Sequence, residues 1–158
     1  MSSRPAEQRH EHTVAVTRVF DAPRERVFAA WTRAEHLAHW FGPKGFAVHS
    51  CEADPRPGGV FRLCMRSPEG EDYWVRGSYR EVAAPARLVV HCLADDARGI
   101  QRLEEVITVT LDDVNGKTRL SLHATAAGEG AKAAAMLRGM DRGWSETLDR
   151  LHERSKTV

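Results

Sequence analysis

Long apolar runs are missing from this 158-residue chain. No stretch approaches the roughly 20 apolar residues of a membrane-spanning helix. The polar start, MSSRPAEQRHEH, has no apolar centre for secretion. Cysteine is scarce and unpaired in pattern: Cys51, Cys64 and Cys92 are three, widely spaced, and each is set in an apolar strand-like run. The disulfide framework of a small secreted domain is therefore not expected. Buried reduced thiols in a cytoplasmic protein fit better, acting as small hydrophobes. An excess of one charge is missing too, with Lys+Arg 23 against Asp+Glu 22 and a net charge of +1. Basic residues are scattered, so neither nucleic acid nor a membrane surface is expected as a partner.

Catalytic signatures are equally thin. There is no Gly-x-Ser-x-Gly elbow and no phosphate-cradling glycine loop. Cys64 and Cys92 lack a helix start or basic neighbour to lower a thiol pKa. His36 and His39 could share one helix face, and His49 and Cys51 one strand face. Nothing joins these pairs into the three or four ligands that zinc needs, so neither metal nor cofactor is expected.

What is present is a strand-rich body followed by one amphipathic helix. Thr13–Phe20 alternates as an opening strand. Asp21-Ala-Pro23 then starts a helix, with Asp21 available as its cap and Val27, Phe28 and Trp31 as its apolar side. Thr32-Arg-Ala-Glu35 has the capping-box pattern and predicts a fresh short helix through Leu37 and Trp40. From there the period is close to two. Phe46–Ala53, Val60–Arg66, Tyr73–Val82, Arg87–Leu93, Leu103–Leu111 and Thr118–Thr125 read as strands separated by Pro- and Gly-rich turns. Asn115-Gly116 is the strongest hairpin signal among those turns. Short connections make successive strands antiparallel. Phe61, Leu63 and Met65 alternating with Arg62, Cys64 and Arg66 predict one buried face and one wet face.

From Ala131 to Arg154 the spacing of Ala133, Met136, Leu137, Met140, Trp144, Leu148 and Leu151 predicts a helix about 36 Å long. It is the one element long enough to cover the sheet. The class is thus α+β. Residues 1–11 read as a flexible tail and residues 12–158 as a single domain, a size that sustains a real core.

The stripe of this last helix is uneven. Two thioethers and an indole, interrupted by Gly139 and Gly143, suit a wall around an adjustable apolar space, since methionine conforms to gaps and glycine leaves them. Residues placed around that space are Trp40, Phe41, Phe46, Phe61, Leu63, Met65, Trp74, Met136, Met140 and Trp144. Trp74 sits between Tyr73 and Val75, which point to the other face of the strand. Glu105 shares parity with Leu103, Ile107 and Val109, so it is expected to face inward with a raised pKa, with Arg76 and Tyr79 as candidate partners. An empty void of about 300 Å³ would cost on the order of 7 kcal/mol, a large share of a domain's ~5–15 kcal/mol. Such a space is kept only with water or a ligand in it; otherwise the walls collapse inward and the same residues make a filled core.

Several short motifs occur together and in order: Phe20-Asp-Ala-Pro-x-Glu-x-Val-Phe28, Trp40-Phe-Gly-Pro-x-Gly-Phe46, Arg56-Pro-Gly-Gly-x-Phe61, Gly77-x-Tyr-x-Glu-Val82, Pro85-x-Arg-Leu88, and Gly143-Trp144 before Leu148 and Leu151. In this the chain, over about Thr13–Leu151, resembles the family related to the C-terminal domain of the activator of the heat-shock protein 90 ATPase, within the START-like, birch-pollen-allergen-like (SRPBCC) superfamily. The resemblance implies a helix-grip fold: about seven curved antiparallel strands around a long C-terminal helix, two short helices after the first strand, and an apolar cavity between sheet and helix. It implies binding of a hydrophobic or aromatic small molecule. Related superfamily members include polyketide aromatase/cyclases, which makes an enzyme using the same cavity the alternative, with Glu105, Arg76 and Tyr79 as its candidate groups. A co-chaperone-like role in binding protein partners is not expected, because the eukaryotic co-chaperone has a further N-terminal domain without counterpart here. A homodimer through an edge strand such as Thr13–Phe20 is compatible with the sequence.

Overall fold

A computed structural model describes residues 8–156. The chain runs β1 (Arg9–Phe20), α1 (Arg24–Thr32), α2 (Ala34–Trp40), β2 (Ala47–Ala53), β3 (Val60–Arg66), β4 (Asp72–Ala83), β5 (Arg87–Asp95), β6 (Gln101–Val114), β7 (Lys117–Glu129), α3 (Gly130–Arg138) and α4 (Met140–Ser155). The strands form an antiparallel sheet of seven in the order β1-β7-β6-β5-β4-β3-β2, which leaves β1 and β2 as its edges. Curved around the C-terminal helices, it is the helix-grip α+β architecture.

Strand alternation decides what the sheet buries. The inward positions of β6, Leu103, Ile107, Val109 and Leu111, meet Leu88 and Val90 of β5 and Leu120, Leu122 and Ala124 of β7 in one buried cluster. Leu148 and Leu151 of α4 close that cluster from the helix side. Hairpin chemistry sets the β6–β7 register: Asn115 (φ 55°) and Gly116 (φ 84°) take the two left-handed positions of a tight turn, and the Gly116 N–H donates to Asp113.

Four expectations need correction. β1 starts at Arg9, so residues 9–11 are strand rather than tail, paired with Glu129, Gly128 and Ala127 of an equally extended β7. The remainder of the expected tail, residues 1–7, lies outside the described residues. Neither cap operates through a side chain. Pro23 and Arg33 occupy the N-cap positions of α1 and α2, while the Thr32 hydroxyl donates to the Phe28 carbonyl within its own helix. The two helices still meet at a sharp bend, because Arg33 is extended. The long C-terminal helix is two helices, broken at Gly139. Finally, the face read as wet is not uniformly so: Cys64 has its parity yet is buried, as expected of a free thiol acting as a small hydrophobe. It pairs with Trp74, and the Arg62 guanidinium lies 4.4 Å from the Trp74 ring centroid, so a stacked pair covers part of that face.

Polar contacts tie α4 to the sheet edge. Arg18 of β1 reaches Asp149 and the Ser145 hydroxyl, and His12 bonds Asp141 at 2.7 Å. At the other side Arg150 of α4 donates to the carbonyls of Gly42 and Pro43, at 2.9 and 3.1 Å, fixing the loop after α2. Gly42 itself has φ +108°, and a Cβ there would come within 2.9 Å of the Met65 sulfur. The left-handed φ favours glycine here, and a larger residue would also push the Met65 side chain aside.

Candidate apolar ligand cavity

Where α3 gives way to α4, the helices stand away from the sheet and leave a cavity of about 330 Å³. Three groups of residues enclose it. The loop after α2 supplies Phe41, Gly42, Pro43 and Phe46; the strands supply Met65, Tyr73, Val75, Ala94, Leu103 and Glu105; the helices supply Ala135, Met136, Gly139, Met140, Gly143, Trp144 and Thr147. Trp74 and Asp95 also border it. The break at Gly139 matters here. Two short residues, Gly139 and Gly143, stand one turn apart on the cavity side, where a continuous row of larger side chains would fill the space.

Aromatic packing holds the wall in place. Trp144 stacks with Trp31 at 6.3 Å and meets Phe41 edge-on at 6.0 Å, and Phe41 meets Phe61 edge-on at 5.7 Å. These are offset and T-shaped geometries that ring quadrupoles favour. Phe46 and Tyr73, both half-buried, lie 6.0 Å apart on the cavity's outer side.

The structure brings most of the expected lining residues together. Phe41, Phe46, Met65, Glu105, Met136, Met140 and Trp144 all border the cavity. Trp40, Phe61 and Leu63 do not; all three are fully buried in the core beneath it. The Trp40 indole N–H donates to the Ala30 carbonyl at 2.9 Å, which commits that side chain to the helical layer. Trp74 borders the cavity yet directs its ring to the opposite face, against Arg62. Tyr73 and Val75, its neighbours, take the inward positions, as strand parity requires. Ala94, Leu103, Ala135 and Thr147 complete the lining without having been singled out from sequence. Small or singly placed apolar residues carry no pattern that marks them as wall.

Glu105 is the charged group of interest. It pairs with Cys92 across β5 and Ala126 across β7. Burial pushes its carboxyl up to about 7, against the opposing pull of donors from the Trp144 indole and the Cys92 thiol. Glu105 is half-buried and borders the cavity. The thiol of Cys92, 3.9 Å from the carboxyl, is driven well above its ordinary pKa by burial and then by the neighbouring carboxylate.

The expected partners of Glu105 are elsewhere. Arg76 has outward parity and makes a two-pronged ion pair with Asp95, at 2.8 and 2.9 Å. Tyr79 faces inward but lies deeper, its hydroxyl donating to the Trp31 carbonyl at 3.1 Å. Burial raises the Tyr79 phenol beyond the range where it ionises in water. Neither side chain is available to a proton-transfer site at Glu105.

The comparison with known families is decided over residues 21–156, which match the family described as Activator of Hsp90 ATPase homolog 1-like protein. The chain belongs to that family. Solved structures agree with it in shape. A protein from Chromobacterium violaceum is 26% identical, with a TM-score of 0.77 over 92% of this chain and 98% of its own. A protein from Rhizobium leguminosarum is 21% identical, with a TM-score of 0.81 over 98% of this chain and 100% of its own. The AHSA1 protein from Silicibacter pomeroyi is 22% identical, with a TM-score of 0.74 over 90% of this chain and 96% of its own. The latter two likenesses concern the fold alone. No curated protein matches the chain.

Among the described residues no group of three or more His, Cys, Asp or Glu side chains is placed to hold a metal ion. His36 bonds Arg154 at 3.0 Å rather than a neighbouring histidine. Among the described residues no helix is long and apolar enough to cross a membrane.

Proposed function

We propose that this protein holds an apolar or aromatic small molecule in the cavity between the sheet and the α3–α4 junction. The observation that carries this reading is the cavity's combination of size and lining: about 330 Å³ bounded by Phe41, Phe46, Met65, Met136, Met140 and Trp144. A dry cavity of about 150 Å³ accommodates a benzene, so a molecule of two fused rings suits this one. Left empty and dry, the space would cost on the order of 8 kcal/mol. A guest removes that cost. Methionine and glycine on the helix wall let it adjust to guests of different outline. A cytoplasmic location suits the three free cysteines, since that compartment keeps thiols reduced.

The test is intrinsic tryptophan fluorescence against a panel of fatty acids, flavonoids and polyketide-like aromatics. It is read alongside native mass spectrometry of protein purified from its own cells. Binding shifts Trp144 emission, and a retained molecule appears as added mass. No response to any compound, with no added mass, would overturn the reading.

One observation favours a second reading, in which the cavity also performs chemistry. Glu105 is a carboxyl poised near neutrality inside an apolar space, where it can accept or return a proton during ring closure or dehydration of a bound chain. In that case Glu105→Gln abolishes turnover and leaves binding intact. Stimulation of a heat-shock ATPase by the purified protein would instead point to a chaperone partner.

A further inference from the structure

Charge does not balance in the cavity. Two acids border it, Asp95 and Glu105, and none of the described residues lining it is Lys, Arg or His. Asp95 is neutralised by the two-pronged pair with Arg76. Glu105 has no such partner. The Cys92 thiol donates to it, and the Trp144 indole, on the same cavity wall, favours its ionised form. An indole N–H can only donate, so the pocket presents Glu105 as an acceptor and aligns neutral donors on it while withholding positive charge. Aromatic rings from Phe41, Tyr73 and Trp144 complete the surround. Their negative faces attract cations as well as apolar surface.

We propose that the preferred guest is an apolar amine: a body of one or two rings lying among the methionines and aromatics, with a protonated nitrogen that donates to Glu105. This deepens the small-molecule reading above and rests on it. The titratable groups facing Glu105 are few. β5 brings Cys92 and Asp95, the latter held by Arg76; β4 brings Tyr73 and β7 brings Ala126, which does not titrate; α3 and α4 line the space with Ala135, Met136, Met140, Trp144 and Thr147. A cationic guest pairs with the ionised carboxyl, so the guest and the proton compete for one group. The Thr147 hydroxyl does not compete, because it donates to the Gly143 carbonyl at 2.7 Å.

The test uses three probes of nearly the same shape, naphthylmethylamine, naphthylmethanol and naphthoate, titrated by calorimetry into the full chain. A charge-assisted hydrogen bond predicts the amine to bind at least about tenfold tighter than the alcohol at neutral pH, and naphthoate weakest. In Glu105→Gln the amine's advantage over the alcohol disappears while alcohol affinity stays within about threefold, which also shows that the variant is folded. In the wild type the amine's advantage shrinks as pH falls from about 8 to about 5.5, because Glu105 takes up a proton. If the alcohol binds as well as the amine, or the Gln variant keeps the preference, the amine proposal is overturned and the cavity reading stands. If none of the three binds, both are overturned.

Discussion

Glu105 of β6 and Trp144 of α4 border the same cavity, one from the sheet and one from the helix side, and the indole opposes the effect of burial on the carboxyl's pKa. The pair links sheet to helix at the point where the two layers are otherwise held apart by empty space. Glu105 is thereby an internal reporter of the cavity's polarity.

Removing the indole donor has a defined consequence. In Trp144→Phe the ring remains apolar but the indole N–H that favours the ionised carboxyl is lost, so Glu105 titrates above its value of about 7. At about 1.4 kcal/mol per unit, loss of a bond to a charged group predicts a rise of about one unit. Carboxyl carbon chemical shifts followed through a pH titration measure it. An unchanged midpoint would mean that the indole does not contact the carboxyl in solution.

Glu105 also sets a slope of stability with pH. Its folded pKa of about 7 lies above the ordinary 4.5, so the folded state binds more protons than the unfolded state in between. This group's favourable contribution is complete below about pH 4.5 and is lost as pH rises through about 7. Glu105→Gln is therefore expected to be more stable than wild type at pH about 8, by an amount on the order of 3 kcal/mol at most, and near parity in acid. Urea denaturation at a series of pH values gives the comparison.

The turn between β5 and β6 behaves in the opposite sense. Asp96 accepts from Arg102 at 2.8 Å and from the backbone N–H groups of Arg98 and Ile100, and Lys132 of α3 lies 3.8 Å away. The hydrogen bond from Arg102, aided by those N–H groups, brings its carboxyl down to about 2. Its contribution is present above the ordinary carboxylate range and is lost as pH falls through about 2. Asp96→Asn is expected to lower the melting temperature at neutral pH and to differ little from wild type in strong acid. Calorimetric melts at both conditions decide.

Two glycines that look alike in sequence are expected to respond oppositely to alanine. At Gly77, on the inward face of β4, a Cβ would fall 2.0 Å from the His91 carbonyl oxygen and 2.8 Å from the Cys92 Cβ. Gly77→Ala forces the β4–β5 backbones apart and is expected to cost upwards of about 3 kcal/mol. At Gly139 the nearest atom is the Met136 carbonyl oxygen at 3.6 Å, with ordinary φ of −89°. Gly139→Ala is expected to stabilise by about 0.4–1 kcal/mol through the unfolded chain. Chemical denaturation of both variants tests the pair.

Strand parity was the most legible layer of this molecule. Val60–Arg66 has the bounds read from its alternation, and Glu105 faces inward for the reason its neighbours Leu103 and Ile107 do. Parity tells which face a side chain occupies, but not how far along the groove it lies. That is why Phe61 and Leu63 fall in the filled core while Met65, next on the same face, reaches the cavity. It is also why sequence alone groups Tyr79 with Glu105, although its register partner Val90 places it deeper in the core. β1 and β7 outrun their apolar pattern. His10 and His12 are polar, yet the β1–β7 ladder continues through them because backbone pairing needs no hydrophobic side chain. The helix break at Gly139 was visible only as an interruption of the stripe, since glycine lowers helix propensity without dictating a break.

The most direct measurement is mapping of amide and indole N–H chemical shifts by heteronuclear NMR as naphthylmethanol is added. Saturable shifts confined to Phe46, Met65, Glu105, Met136, Met140 and the Trp144 indole are the predicted result. Shifts scattered over the surface, or none at all, would contradict a binding cavity between the sheet and the α3–α4 junction.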